Sequence, residues 1–186
     1  MPLPKPKDRH KPRRCNQMKF DLRGEMYRIY GTDLTAVPGI DALTAYVLFA
    51  EIGPDLSRFG TVAAFVSWLG LCPDNRISGG KLLSVRTRLV KSRVAKALRM
   101  AAQSLHRSQS YLGSYYRRMR TRLGTPKAIT AAAHKLARVI YHLLTTRQSY
   151  EESVFARCEA LHQQRIENRI RRRARELGFA LVRPPT

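Results

Sequence analysis

Apolar side chains recur at helical spacing along most of the chain. The first clear periodic stretch begins near Leu34; after a Val37-Pro38-Gly39-Ile40 turn, Leu43, Val47, Leu48 and Ile52 mark one helix face, stopped by Gly53-Pro54. Val62, Phe65, Val66 and Leu69 predict a second helix that ends at Gly70 and Pro73. Behind Ser92 as an N-cap, Val94, Ala97, Leu98, Ala101 and Leu105 predict a third. Leu112, Tyr115, Tyr116, Met119 and Leu123 lead up to Gly124, and Thr125-Pro126 opens a longer helix whose inner side holds Ile129, Ala132, Ala133, Leu136, Ile140, Leu143 and Leu144. A last segment starts at Ser149 with Glu151 and Glu152 in its first turn, and its apolar positions Phe155, Cys158 and Leu161 thin out into an arginine-rich end closed by Gly178.

Between the second and third helices lies Pro73-Asp74-Asn75-Arg76-Ile77-Ser78-Gly79-Gly80-Lys81, where neither helical nor strand periodicity holds for more than a few residues. It reads as an exposed loop. Residues 1–15, with four prolines and six Lys or Arg, read as a disordered basic arm. The expected architecture is therefore all-α: about six packed helices over residues 16–148 and a projecting charged helix over 149–182. The longest uncharged apolar run, Ala42 to Ala50, covers nine residues, far short of the roughly 20 of a membrane-spanning helix. No membrane association is expected, and the chain starts without the apolar core of a secretory signal, so a cytoplasmic, nucleoid-associated protein is expected.

Charge changes the picture more than composition does. Lys and Arg number 35 against 13 Asp and Glu, a net of +22, which suits a polyanionic partner better than a small metabolite. From Asn75 to Tyr150 there is no Asp or Glu at all, but 17 Lys and Arg and three His. Such a stretch cannot neutralise itself by internal salt bridges, so phosphates or an acidic partner are expected to supply the counter-charge. Cys15, Cys72 and Cys158 are odd in number and widely spread, which supports neither a disulfide framework nor a zinc site. His106, His134 and His142 read as phosphate or packing contacts, Tyr111, Tyr115 and Tyr116 as core or base-stacking residues, and Trp68 as core.

Two local patterns carry chemistry. Leu34 to Ala45 has the form of a helix-hairpin-helix, in which Gly39 lets the backbone approach a DNA phosphate at a helix start. Asp41 stands where such a carboxylate would repel the phosphate unless it turns aside as a cap, so a phosphate clamp and a structural turn both remain open. In the glycine loop, Ser78 is flanked by Arg76 and Lys81, while Gly79 and Gly80 leave the backbone open and Arg86 and Arg88 follow. A serine that attacks phosphorus needs cations, room for the phosphate and a deprotonating group. This loop offers all but the last.

From about Asn16 to Val182 the chain resembles the C-terminal portion of an insertion-sequence transposase of the IS-one-ten family, related to the Piv-type DNA invertases. The runs that carry the resemblance are Phe20 to Arg28, Pro38-Gly39-Ile40 leading to Ala50-Glu51-Ile52-Gly53, and Trp68 to Pro73. Ile77 to Lys81, Ala97 to Ala102 and His134 to Arg138 continue them, in order. The resemblance implies that Ser78 matches a nucleophilic serine that holds the cut strand as a phosphoserine ester, and that a structured RNA directs recombination. It also implies an RNase-H-like domain ahead of this region, whose four acidic residues hold metal ions, Mg²⁺ among them. Only Asp8, Asp21, Glu25 and Asp33 precede the turn here, in a tail or helical stretch with no sheet to bring them together.

The expectation is a DNA transposase in truncated form, inactive alone and without a metal site or cofactor of its own. Ser78 is its catalytic candidate, and Gly39, Arg76, Gly79, Gly80, Lys81, Arg86, Arg88, Lys91, Arg93 and Arg99 are its DNA-contact candidates. Its expected partners are DNA, a structured guide RNA, and a second copy or an intact transposase. Two rivals are a non-catalytic protein that occupies element ends or guide RNA, and a ribosome-associated basic protein.

Overall fold

Helix α1 (Leu22–Tyr30) begins where the Asp21 carboxylate accepts the Gly24 N–H at 3.0 Å, and it buries Leu22, Met26 and Tyr30, one turn apart. It precedes the stretch near Leu34 where helical periodicity was expected to begin; Arg23, Gly24, Glu25 and Arg28 dilute its apolar pattern. The computed structural model describes residues 20–84, 86–88 and 90–179, with Arg76 and Leu82 described by backbone alone. The basic arm expected over residues 1–15, and Cys15, lie outside them.

A 3-10 turn (Leu34–Ala36) leads into α2 (Ala42–Ile52), and a second such turn (Ser57–Phe59) into α3 (Val62–Trp68). Strands β1 (Arg76–Ser78) and β2 (Lys81–Ser84) precede α4 (Arg93–Ser104), followed by a 3-10 turn (Leu105–Arg107), α5 (Tyr111–Leu123) and α6 (Thr125–Thr146). The helical class is as expected. Caps set most boundaries: Thr61 accepts from Ala64, Ser92 from Ala95 and Ser110 from Gly113, each satisfying an orphan N–H of a first turn.

The core is organised around α6, which packs against α3, α4 and α5. Ala128, Ala132, Ala133 and Ala137 let neighbouring backbones come close, while Leu136 and Ile140 fill the space between, all essentially without solvent contact. From α4, Val94, Ala95, Leu98 and Ala102 meet them. In α2 the inner face is Ala45, Leu48 and Ile52, and Leu43 is 55% exposed, against expectation. A 3.6-residue period fits both stripes, and the small Ala45 is the one that admits α1, whose Tyr30 hydroxyl reaches the Ala45 carbonyl at 3.5 Å.

Asp33 ties α1 to the first 3-10 turn. Its carboxylate accepts from the Arg23 guanidinium, the Thr35 N–H (3.0 Å) and the Thr35 hydroxyl (2.7 Å), and Arg23 Nε donates to Thr35 Oγ1 at 2.9 Å. Burial works to raise the Asp33 pKa, but the hydrogen bonds and the Arg23 charge outweigh it and hold the group below its ordinary value. A depressed carboxyl contributes stability above its unfolded pKa and loses it as pH falls through the folded one. Asp33→Asn should therefore cost about 1–3 kcal/mol near neutral pH, and the gap to the parent protein should narrow in urea melts as pH falls below the ordinary carboxylate range.

A second compact unit begins at Glu151. Here a 3-10 turn (Glu152–Phe155) precedes α7 (Ala156–Glu176), whose first turn holds Glu159 rather than the expected Glu151 and Glu152. No residue of α7 is buried, so it adds no apolar face to a core of its own. Arg171 pairs with Glu167, and Arg172 and Arg173 with Glu176. Among the described residues, no helix is long and apolar enough to cross a membrane.

Candidate functional site

The segment expected as an irregular loop is a β-hairpin. Leu69 and Leu71 are buried at the end of α3, and the chain then leaves the helical body. Pro73 bridges Thr87, the Asp74 N–H donates to the Arg86 carbonyl at 2.8 Å, and Ser78 pairs with Lys81 across the tip. Gly79 and Gly80 form the two-residue turn at φ +54° and +74°. Positive φ at both central positions is what such a turn demands and what residues with a Cβ resist. Nothing lies within 4 Å of where a Cβ would stand on either, so the tip is open.

This topology places Ser78 next to the turn, exposed, with Lys81 directly opposite. Cross-strand partners carry their side chains on one face, so an ammonium and a hydroxyl share the hairpin tip. Arg76 is a β1 residue by its backbone, opposite Ser84 across a register irregularity. Down the return leg, Arg86, Arg88 and Lys91 are all exposed. Arg88 lies at the root: its carbonyl and Val90 fall where a Cβ on Gly70 would stand (3.3 and 2.7 Å), and its charge acts on the Cys72 thiol, whose pKa burial raises.

Other cations of the acid-free stretch have internal partners that the charge count alone did not foresee. Arg93 reaches back to Glu51 at 3.4 Å, although at 85% exposure its side chain is still accessible and the pair is weak. Arg117 donates to the Ser108 carbonyl at 2.7 Å and the His106 carbonyl at 3.3 Å. Arg118 and Lys135 both lie over the Tyr111 ring. Backbone oxygens and ring faces thus take up part of the charge assigned to phosphates. Arg99 is half-buried on α4. His134 is held below the ordinary imidazole pKa by burial and by the charges of Arg138 and Lys135.

Gly39 lies against α4. A Cβ there would fall 2.8 Å from the Ala101 carbonyl and 3.2 Å from Leu105, and the φ of +89° favours glycine as well, so packing and backbone conformation both call for it. Asp41 turns aside and caps α2, accepting the Thr44 N–H at 2.8 Å. The other early carboxylates are also engaged: Asp21 caps α1, Glu25 pairs with Arg28, and Asp33 holds Arg23. Among the described residues no three His, Cys, Asp or Glu side chains are grouped to hold a metal ion. These residues do not fit the metal-holding acidic set that the family resemblance implies.

Trp68, expected in the core, is 44% exposed. The stripe Val62, Phe65, Val66, Leu69 points inward, and the residue before Leu69 falls on its flank. Around it are Phe59 (centroids 5.3 Å apart) and the Arg58 guanidinium, 5.4 Å from the indole centroid. The position of Trp68 off the helix's apolar spacing was the available sign.

Residues 31–117, which span the hairpin, match the family described as "Transposase IS116/IS110/IS902 family". The chain is 30% identical over 132 residues to the "Putative transposase y4pF/y4sB" of Sinorhizobium fredii, covering 64% of this chain and 32% of that protein. To the "Mini-circle putative transposase for IS117" of Streptomyces coelicolor it is 32% identical over 122 residues, covering 64% and 29%. To the "Transposase for insertion sequence element IS1111A" of Coxiella burnetii it is 26% identical over 120 residues, covering 62% and 33%. The matched part spans about a third of the length of each relative. No solved structure matches.

Proposed function

We propose that this chain, whose residues 31–117 match the IS116/IS110/IS902 transposase family, provides the serine-bearing, DNA-binding part of an insertion-sequence transposase. The observation that carries this reading is the hairpin tip: Ser78 exposed beside an open Gly79-Gly80 turn, with Lys81 opposite it. Exposed cations down the return leg hold the phosphate backbone without regard to base sequence. Lys81 lies against the phosphate under attack, where a fixed positive charge favours the developing oxyanion.

In the reaction so assigned, a bond forms between Ser78 Oγ and phosphorus and the bond from phosphorus to one nucleoside oxygen breaks. The strand is held as a phosphoserine ester, and the released oxygen ends with the proton that the serine gave up. Among the described residues the Ser78 hydroxyl has no hydrogen-bond partner that could take that proton. Asp74, the nearest carboxylate in sequence, lies four residues before Ser78 and outside β1. By the family resemblance, an acidic, metal-holding segment would supply the group that activates the hydroxyl; the carboxylates described here take no part in the step. A structured guide RNA and a second transposase subunit are further proposed partners.

Purified protein, incubated with Mg²⁺ and element-end duplex, should bind it and form no covalent adduct. Adding the acidic N-terminal part of a related transposase should produce an adduct on a denaturing gel that disappears in Ser78→Ala, while duplex binding is unchanged. An adduct that persists in Ser78→Ala rules out this assignment of the nucleophile. Binding with no adduct even in the presence of that part favours a non-catalytic protein occupying element ends.

A further inference from the structure

The rings of Trp68 and Phe59 are held in place from within. Phe59 meets buried Phe65 edge-on at 5.1 Å, and Phe65 in turn stands 5.6 Å from Tyr141 of α6. Trp68 therefore ends an aromatic row that starts in the core. Single exposed apolar residues are ordinary on protein surfaces. This one differs in its company. The Arg58 guanidinium lies 4.7 Å from the Phe59 centroid and 5.4 Å from that of Trp68, and Arg58 is itself exposed. Asp55, the nearest carboxylate in sequence, is occupied by the Ser57 N–H (2.8 Å) and hydroxyl (2.6 Å). Two residues beyond Trp68, Gly70 receives the return leg of the hairpin with Arg88 and Val90.

A planar ring packed on a core-anchored aromatic row and half open, beside an exposed guanidinium with no carboxylate partner among the described residues and next to a line of cations, has the chemistry that takes up a flat, electron-rich ligand bearing a phosphate. We infer that Trp68 and Arg58 form a stacking site for an unpaired nucleobase at the root of the serine-bearing hairpin. The indole stacks on the base, the guanidinium covers the ring edge or the adjoining phosphate, and Arg88 holds the strand as it continues toward the tip. Bases inside a duplex are already stacked on one another and cannot use it. The ligand is therefore single-stranded, either a DNA strand opened at the cleavage point or an unpaired stretch of RNA. This inference rests on the nucleic-acid reading above and extends it from the phosphates to a base.

Trp68 is the sole tryptophan of the chain, so its intrinsic fluorescence reports on this site alone. Short DNA and RNA single strands of the same sequence, a duplex, and a single strand of abasic residues are titrated in parallel. Binding is followed by anisotropy of a label on the strand, and stacking by tryptophan emission. Base-bearing single strands should quench the emission, whereas the duplex and the abasic strand should bind without quenching; the stronger quencher of DNA and RNA identifies the source. Trp68→Ala should weaken single-strand binding roughly tenfold, and Trp68→Phe, which keeps a ring and protects the fold, by much less. Duplex binding should be the same in both variants. Single strands that bind with no change in emission, or an abasic strand that quenches equally, overturn the stacking site and leave the phosphate interface standing. If no strand of any kind binds by anisotropy, both the stacking site and the nucleic-acid reading fall.

Discussion

Alanine at Lys81, Arg86, Arg88 and Lys91 together should flatten the salt dependence of duplex binding by about 3–4 in the slope of log K against log salt. Each cation that neutralises a phosphate releases a condensed counterion, and each is worth close to 0.9 in that slope on B-form DNA. All four side chains are exposed on the hairpin and its return leg. Between 50 and 200 mM salt, the parent protein should then lose on the order of 10²-fold more affinity than the variant. The loss at low salt should be alike on unrelated duplexes, because phosphate contacts carry no sequence information. Arg93→Ala alone should change the slope by about one or less, since Glu51 competes with phosphate for that guanidinium. A quadruple variant with an unchanged slope places the phosphate contacts elsewhere, on α5 or on α7 with its seven arginines.

The fold was largely legible where end signals and apolar spacing coincide. Ser92 before Val94, Gly53 after Ile52 and Gly124 before a proline each mark a boundary because unpaired backbone groups must be satisfied there, and few residue types do it. Helix α1 does not stand out in the sequence because one short amphipathic face, Leu22, Met26 and Tyr30, is set among charges and a glycine, with only Asp21 as a readable cap. The hairpin is obscure in the sequence for another reason. Its strands have three and four residues, too few for alternation to show, and only Gly79-Gly80, between Ile77 and the pair Leu82-Leu83, announced it. At the site, the serine and the cations were nameable from chemistry alone. Which cations are taken by carbonyls, rings or Glu51 depends on contacts distant in sequence, and periodicity does not report those. Trp68 shows the same limit from the apolar side: its residue type argued for burial, and one position of helical phase decided against it.

Gly113→Ala should destabilise the protein by about 2–4 kcal/mol, the opposite sign to what helix propensity predicts. Glycine within a helix costs roughly 0.5–1 kcal/mol relative to alanine, so on an open α5 the substitution would stabilise. Gly113, however, is buried in the first turn of α5, where the chain has just turned back from α4 through Leu105–Arg107. A Cβ there would lie 2.1 Å from the Ser108 carbonyl oxygen, 2.9 Å from its carbon and 3.0 Å from the Leu105 oxygen. These are backbone atoms, so no side chain can swing away to make room. The Ser108 oxygen also accepts Arg117 Nη1 at 2.7 Å, and moving it strains that bond together with the one to the His106 carbonyl. Arg117→Ala removes the tie without the clash and should cost less, about 1 kcal/mol. The double variant should cost less than the sum, because both substitutions act on one elbow. Urea melts of the three variants decide the matter: Gly113→Ala at or above parental stability would mean that α5 can shift freely against the end of α4, and that the elbow does not fix how the two helices meet.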